Sequence, residues 1–102
     1  MSEITVNHFL FLSAALFIIG MMGVLTRRNV LVIFMCVEMM VAAASITLVA
    51  FAQETHTING QAFVLFALAV AAAEAAVGLA IIIALARRGT APDINQMQEL
   101  RD

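Results

Sequence analysis

Two glutamates stand where a charge is costly. Glu38 lies inside the run VLVIFMCVEMMVAAASITLVAFA, and Glu74 lies inside AFVLFALAVAAAEAAVGLAIIIALA. Each run is otherwise free of charge. A carboxylate at the centre of a bilayer costs about 3 kcal/mol on insertion scales. Low dielectric favours the neutral acid, and wetting or an approaching cation lets the proton leave. A residue with that property suits a proton relay. The plainer alternative is a protonated carboxyl that hydrogen-bonds neighbouring helices together.

The elements that must position them are membrane spans. Residues 4–26, 30–52 and 62–86 form three apolar segments, each near the roughly 20 residues needed to cross a bilayer. Three spans cannot close a β-barrel, and backbone groups in lipid must pair internally, so the segments are helices. The expectation is an all-α integral membrane protein, with residues 1–102 as one membrane domain. Arg27, Arg28 and Asn29 join the first two spans, and Gln53 to Gly60 joins the second to the third. Short links make successive helices antiparallel, an up-down-up bundle. A polar tail, residues 89–102, follows, with Gly89 and Pro92 as helix stoppers.

Arg27, Arg28, Arg87 and Arg88 lie on one side of the membrane, while Glu3, His8, Glu54 and His56 lie on the other. The positive-inside rule puts the N-terminus outside and the C-terminus inside. Glu38 lies nine residues past Asn29 and Glu74 lies 13 before Arg87. At 1.5 Å per residue the depths are roughly 14 Å and 20 Å. Both fall near the middle of a hydrocarbon core about 30 Å thick. Helix rotation is left open, so the two carboxyls are near neighbours or sit on different faces. Ala72, Ala76, Ala80 and Ala84 form a stripe of small residues that predicts close helix packing. Gly20, Gly23 and Gly78 extend the same expectation.

Composition narrows the class. Hydrophobic residues make up 64% of the 102-residue chain and charged residues 12%, too little charge for the surface of a soluble domain this small. Five arginines, no lysine and a net charge of −2 leave no basic tract for nucleic acid. The single Cys36 reads as a small buried hydrophobe. His8 and His56 read as interfacial polar residues far from both glutamates. The methionines read as filler, and no metal, nucleophile or phosphate-loop pattern occurs. The N-terminus, MSEITVNHF, has no Lys or Arg, and no small-x-small cleavage site follows before Arg27, so the first span is expected to stay as an anchor.

Three helices shield two carboxyls poorly, and nothing in the chain captures energy from ATP or a redox reaction. The expectation is therefore a subunit of a larger membrane complex, in contact with lipid and with helices of other chains.

The segments TRRNVLVIFMCVEMM and LAVAAAEAAVGLAIII, the length, and the tail PDINQMQELR together resemble the small three-helix subunit K of proton-pumping NADH-quinone oxidoreductase, respiratory complex I. The resemblance implies that Glu38 and Glu74 belong to the chain of charged residues along the membrane arm, with Glu38 the more critical. It implies that Arg27 and Arg28 supply supporting charge from the inner side. It also implies that FMN, iron-sulfur clusters and quinone are bound by partner subunits and not by this chain. The neighbours would be quinone-proximal and antiporter-like subunits in a bacterial inner membrane. One position departs from the family pattern: Ala42 stands where many members carry Asn. Any hydrogen bond that Asn makes to the glutamate must come from water or a partner here.

Three rivals remain. The small subunit of a multi-subunit sodium/proton antiporter also has three helices, but the RRN loop and both glutamates favour the respiratory family. Small drug-efflux transporters use a membrane glutamate but have four helices and aromatic-rich pockets. A purely structural or assembly subunit is the third.

Overall fold

A computed structural model describes residues 3–89. Three helices account for almost all of it: α1 (Val6–Thr26), α2 (Val30–Thr55) and α3 (Ile58–Arg87). Each is long and apolar enough to cross a membrane. Most of the expected tail, residues 90–102, lies outside the described residues.

Local chemistry sets the helix ends. The backbone N–H of Thr5 donates to His8 Nδ1 at 3.0 Å, which satisfies an end group of α1. At the other end Arg27 N–H donates to the Gly23 carbonyl, and the chain turns extended. Asn29 caps α2, its side-chain oxygen accepting from Leu31 N–H at 2.9 Å and Val32 N–H at 3.4 Å. Thr57 caps α3 by accepting from Gly60 N–H.

The second link is shorter than the expected Gln53–Gly60 loop. Helix α2 runs on through Gln53, Glu54 and Thr55, and α3 begins four residues earlier than Ala62. Only His56 and Thr57 lie between them, with His56 in the left-handed region at φ 54° and ψ 33°. Polarity ends a membrane span without ending a helix: Gln and Glu are good helix formers, and the caps fall later.

Helix α2 is the middle element. It packs on α1 and on α3, whereas α1 and α3 hardly meet. The α1–α2 seam is tight because α1 carries glycines there. A methyl at Gly20 would stand 2.7 Å from Met40 Cγ and 2.8 Å from the Cys36 carbonyl oxygen, and one at Gly23 would overlap Cys36 Sγ. The same seam holds a buried polar contact. Ser13 Oγ donates to the Ala43 carbonyl oxygen at 2.6 Å. Thr47 Oγ1 lies 2.6 Å from Ser13 Oγ and 3.5 Å from the same Ala43 carbonyl oxygen, so the two hydroxyls and the carbonyl form one shared contact.

The α2–α3 seam joins a row on α2 (Phe34, Glu38, Val41, Ser45, Leu48, Ala52) to a row on α3 (Val64, Ala67, Ala71, Ala75, Gly78, Ile82), all buried or half-buried. The expected alanine stripe does not make this contact. Ala72, Ala76, Ala80 and Ala84 are all exposed, because they follow the packed residues Ala71, Ala75, Gly78 and Ile82 by one or two positions and so fall on another face. Apolar side chains surround each helix, so hydropathy carried no signal for that rotation.

Candidate functional site

Contacts across the α2–α3 seam fix the relative level of the two glutamates. Ala52 lies against Gly60, and the ring of Phe34 lies against Gly78. Both pairs are symmetric about His56, at four and at 22 residues on either side. Glu38 and Glu74 share this symmetry, 18 residues before and 18 after His56. They therefore occupy one level of two adjoining helices. Counting from the arginine end had separated them by about 6 Å. The difference arises because α3 extends about one turn past the level of Asn29 before it ends at Arg87.

The two carboxyls differ in setting. Glu38 is half-buried and falls on the row of α2 that packs against α3. Glu74 is exposed, on the flank of the α3 row that includes Ala67, Ala71 and Gly78. Glu74 also borders two open hollows. One, of about 380 Å³, lies towards the His56 end and is walled by Val41, Phe63, Phe66, Val70 and Ala71. The other, of about 460 Å³, lies along the outer face of α3 and passes Val77 and Gly78 to reach Ile81, towards the arginine end. The walls of both are apolar apart from Glu74 itself. Neither glutamate takes part in the side-chain hydrogen bonds of the described residues, which serve helix ends, the Ser13–Thr47 contact and a bond from Ser45 Oγ to the Val41 carbonyl one turn back.

The remaining candidate residues lie apart from this level. Arg27 and Arg28 are exposed in the α1–α2 link. His8 caps α1, and His56 makes the α2–α3 turn. His56 also lines a hollow of about 450 Å³ of mixed character, with the polar Thr5, Asn7, Gln53 and Glu54 beside the apolar Ile4, Val6, Phe9 and Ala50, at the opposite end from the arginines. Cys36 is half-buried against Gly23 rather than fully buried. Among the described residues, no three of His, Cys, Asp and Glu gather as a metal set. Sequence reasoning missed Ser13, Thr47 and Phe34. A lone hydroxyl or phenylalanine in an apolar run carries no signal until its partner helix is known.

The pattern of the family described as NADH-ubiquinone/plastoquinone oxidoreductase chain 4L matches residues 8–102. NADH-quinone oxidoreductase subunit K of Thermomicrobium roseum is 60% identical over the full length of both chains. Subunit K 2 of Geotalea uraniireducens is 49% identical, covering 96% of this chain and 98% of the relative. Subunit K of Akkermansia muciniphila is 45% identical, covering 97% and 99%. With three membrane-length helices, these bacterial relatives make the protein a multi-pass component of the bacterial inner membrane. A match over nearly the whole chain and identities of this size identify it as a member of the NADH-ubiquinone/plastoquinone oxidoreductase chain 4L family.

Proposed function

We propose that the chain is the subunit of a proton-translocating NADH-quinone oxidoreductase in which Glu38 and Glu74 together form one stretch of the proton-translocation or coupling path. The observation that carries this reading is their common level on adjoining helices, set by the Phe34–Gly78 and Ala52–Gly60 contacts. Two carboxyls that each cost about 3 kcal/mol to insert are brought to one depth rather than scattered. Glu38 sits in the seam and Glu74 opens outward, so a proton passed between them moves from the subunit interior to the face a partner would cover.

The chain has no redox chemistry of its own. FMN and iron-sulfur clusters, with the quinone, belong to partner subunits. Quinone reduction there changes the local field or conformation. Glu38 and Glu74 then exchange protons through transient water and through ionisable groups on quinone-proximal and antiporter-like neighbours. Arg27 and Arg28 set the field at the inner end of α2 and oppose release of protons on that side.

The membrane passage is up-down-up, with the N-terminus outside and the C-terminus inside. Partners along α1 and α2 support it: Ser13 meets Ala43 and Thr47, whereas Gly20 meets Cys36 and Met40, so positions on α2 fall as those on α1 rise. The arginine asymmetry supplies the direction.

Affinity purification through a tag on this chain tests the assembly. Flavin and iron-sulfur subunits should come with it. Capture of antiporter-type subunits alone would support the antiporter rival instead. In the purified complex Glu38→Gln should lower quinone reduction coupled to proton uptake while NADH oxidation by an artificial acceptor persists. Normal coupled turnover in an assembled Glu38→Gln complex would favour the purely structural reading.

A further inference from the structure

The seam on either side of the glutamate level is not symmetric. Towards the His56 end, the α2–α3 groove beside Val41 and Ala71 opens into the hollow that reaches Glu74. Towards the arginine end, one turn away, the ring of Phe34 lies against Gly78 so closely that a methyl on Gly78 would overlap it. Phe34 is four residues before Glu38 and Gly78 four after Glu74, so the ring crosses the seam about 6 Å nearer the arginines than the carboxyl pair. A phenyl ring filling a seam between apolar helices excludes water, and a dry constriction blocks proton movement as it blocks ions.

We infer that Phe34, seated on Gly78, is the barrier that closes the α2–α3 seam between the carboxyl level and the arginine side of the membrane, while the hollow that passes from Glu74 to Ile81 on the outer face of α3 is left for lipid or a partner helix to fill. The inference rests on the proton-path reading and adds a direction to it. Protons on the pair exchange sideways and towards the outer half of the seam, and leakage along the seam to the inner side is closed by the ring. Gly78 is part of the device because only a residue without Cβ lets the ring lie across the seam. Both are positioning residues: they hold water away from the carboxyls and do not themselves take the proton.

The test uses the assembled complex in sealed phospholipid vesicles carrying an imposed pH gradient, with no NADH present. Wild type should hold the gradient. Phe34→Ala should dissipate it at least severalfold faster and lower the protons moved per NADH oxidised, with electron transfer to an artificial acceptor unchanged. Gly78→Ala should leak as well, since its methyl displaces the ring. Combining Gly78→Ala with Phe34→Leu should restore tightness, because the smaller side chain makes room for the methyl. If Phe34→Ala does not assemble, the Gly78→Ala complex and its rescue decide the matter. Vesicles of either leaky variant should become tight again when Glu38→Gln and Glu74→Gln are added.

Tight vesicles with Phe34→Ala, or with Gly78→Ala where only that variant assembles, would overturn the barrier. If Glu38→Gln still lost proton coupling, the path reading would stand. A leak that persists without both glutamates would also overturn the inference, because the ring would then shield some other route.

Discussion

Glu38 and Glu74 have the same chemistry but not the same surroundings, and their replacement should not cost the same. Glu38 is held half-buried in the α2–α3 seam, with Glu74 the other carboxyl at its level. Glu74 is exposed to whatever covers α3. Glu38→Gln should lower the coupled rate about tenfold or more, equivalent to about 1.4 kcal/mol or more of barrier. Glu74→Gln should cost less. Steady-state quinone reduction in uncoupler-free vesicles measures both. Ser13 makes a different kind of contribution. Its hydroxyl is buried at 5% exposure between the Ala43 carbonyl and Thr47. Polar contacts of this kind between membrane helices are worth about 0.6 kcal/mol on average, with a maximum near 1.7. Ser13→Ala should therefore destabilise α1 against α2 by about 1 kcal/mol. Thr47→Val should add less in the Ser13→Ala background than alone, since the two share one contact. Unfolding of the chain in bicelles reads both values.

At the scale of the element, glycine decides how close α1 comes to α2. The Gly20 position faces backbone, the Cys36 carbonyl, which cannot swing away as a side chain can. Gly20→Ala should cost about 1–3 kcal/mol through overpacking. That turn of α2 runs from Cys36 to Met40 and carries Glu38, so coupling should fall along with thermal stability. Midpoints of heat inactivation check it. The helices themselves were legible in the residues. Three apolar runs of spanning length, Asn29 ahead of the second and Gly89 after the third all survive in the fold. The second link was not, because Gln53 and Glu54 leave the apolar phase while still favouring helix. Helix rotation was not legible either. Ala72 and Ala71 are chemically identical, yet only Ala71 falls on the packed row. Of the candidate site, depth counting brought both glutamates near mid-membrane. Their shared level emerged only from the Phe34–Gly78 and Ala52–Gly60 contacts.

The whole molecule exposes most of its apolar surface. The buried apolar residues among those described are small or few: Ala43, Ala50, Ala52, Val64 and Ile82. Phe63 and Phe66, beside Glu74, remain 61% and 74% exposed. Surfaces of that kind need lipid or other helices. Amides of α3 should therefore exchange hydrogen much faster in the isolated chain in detergent than in the assembled complex, with the smallest difference at the α1–α2 seam. Topology is tested with single cysteines in a Cys36→Ser background. Glu3→Cys should react with an impermeant thiol reagent from outside, and Gly89→Cys only from inside. Reversed labelling would overturn the orientation.

The central claim is that two carboxyls at one level form a single stretch of proton path. Its most direct test is the number of protons translocated per NADH oxidised by a complex carrying both Glu38→Gln and Glu74→Gln in sealed vesicles. The account predicts that the double variant assembles, passes electrons to an artificial acceptor at the normal rate, and translocates few or no protons. A double variant that assembles and keeps the wild-type proton-to-electron ratio would contradict it.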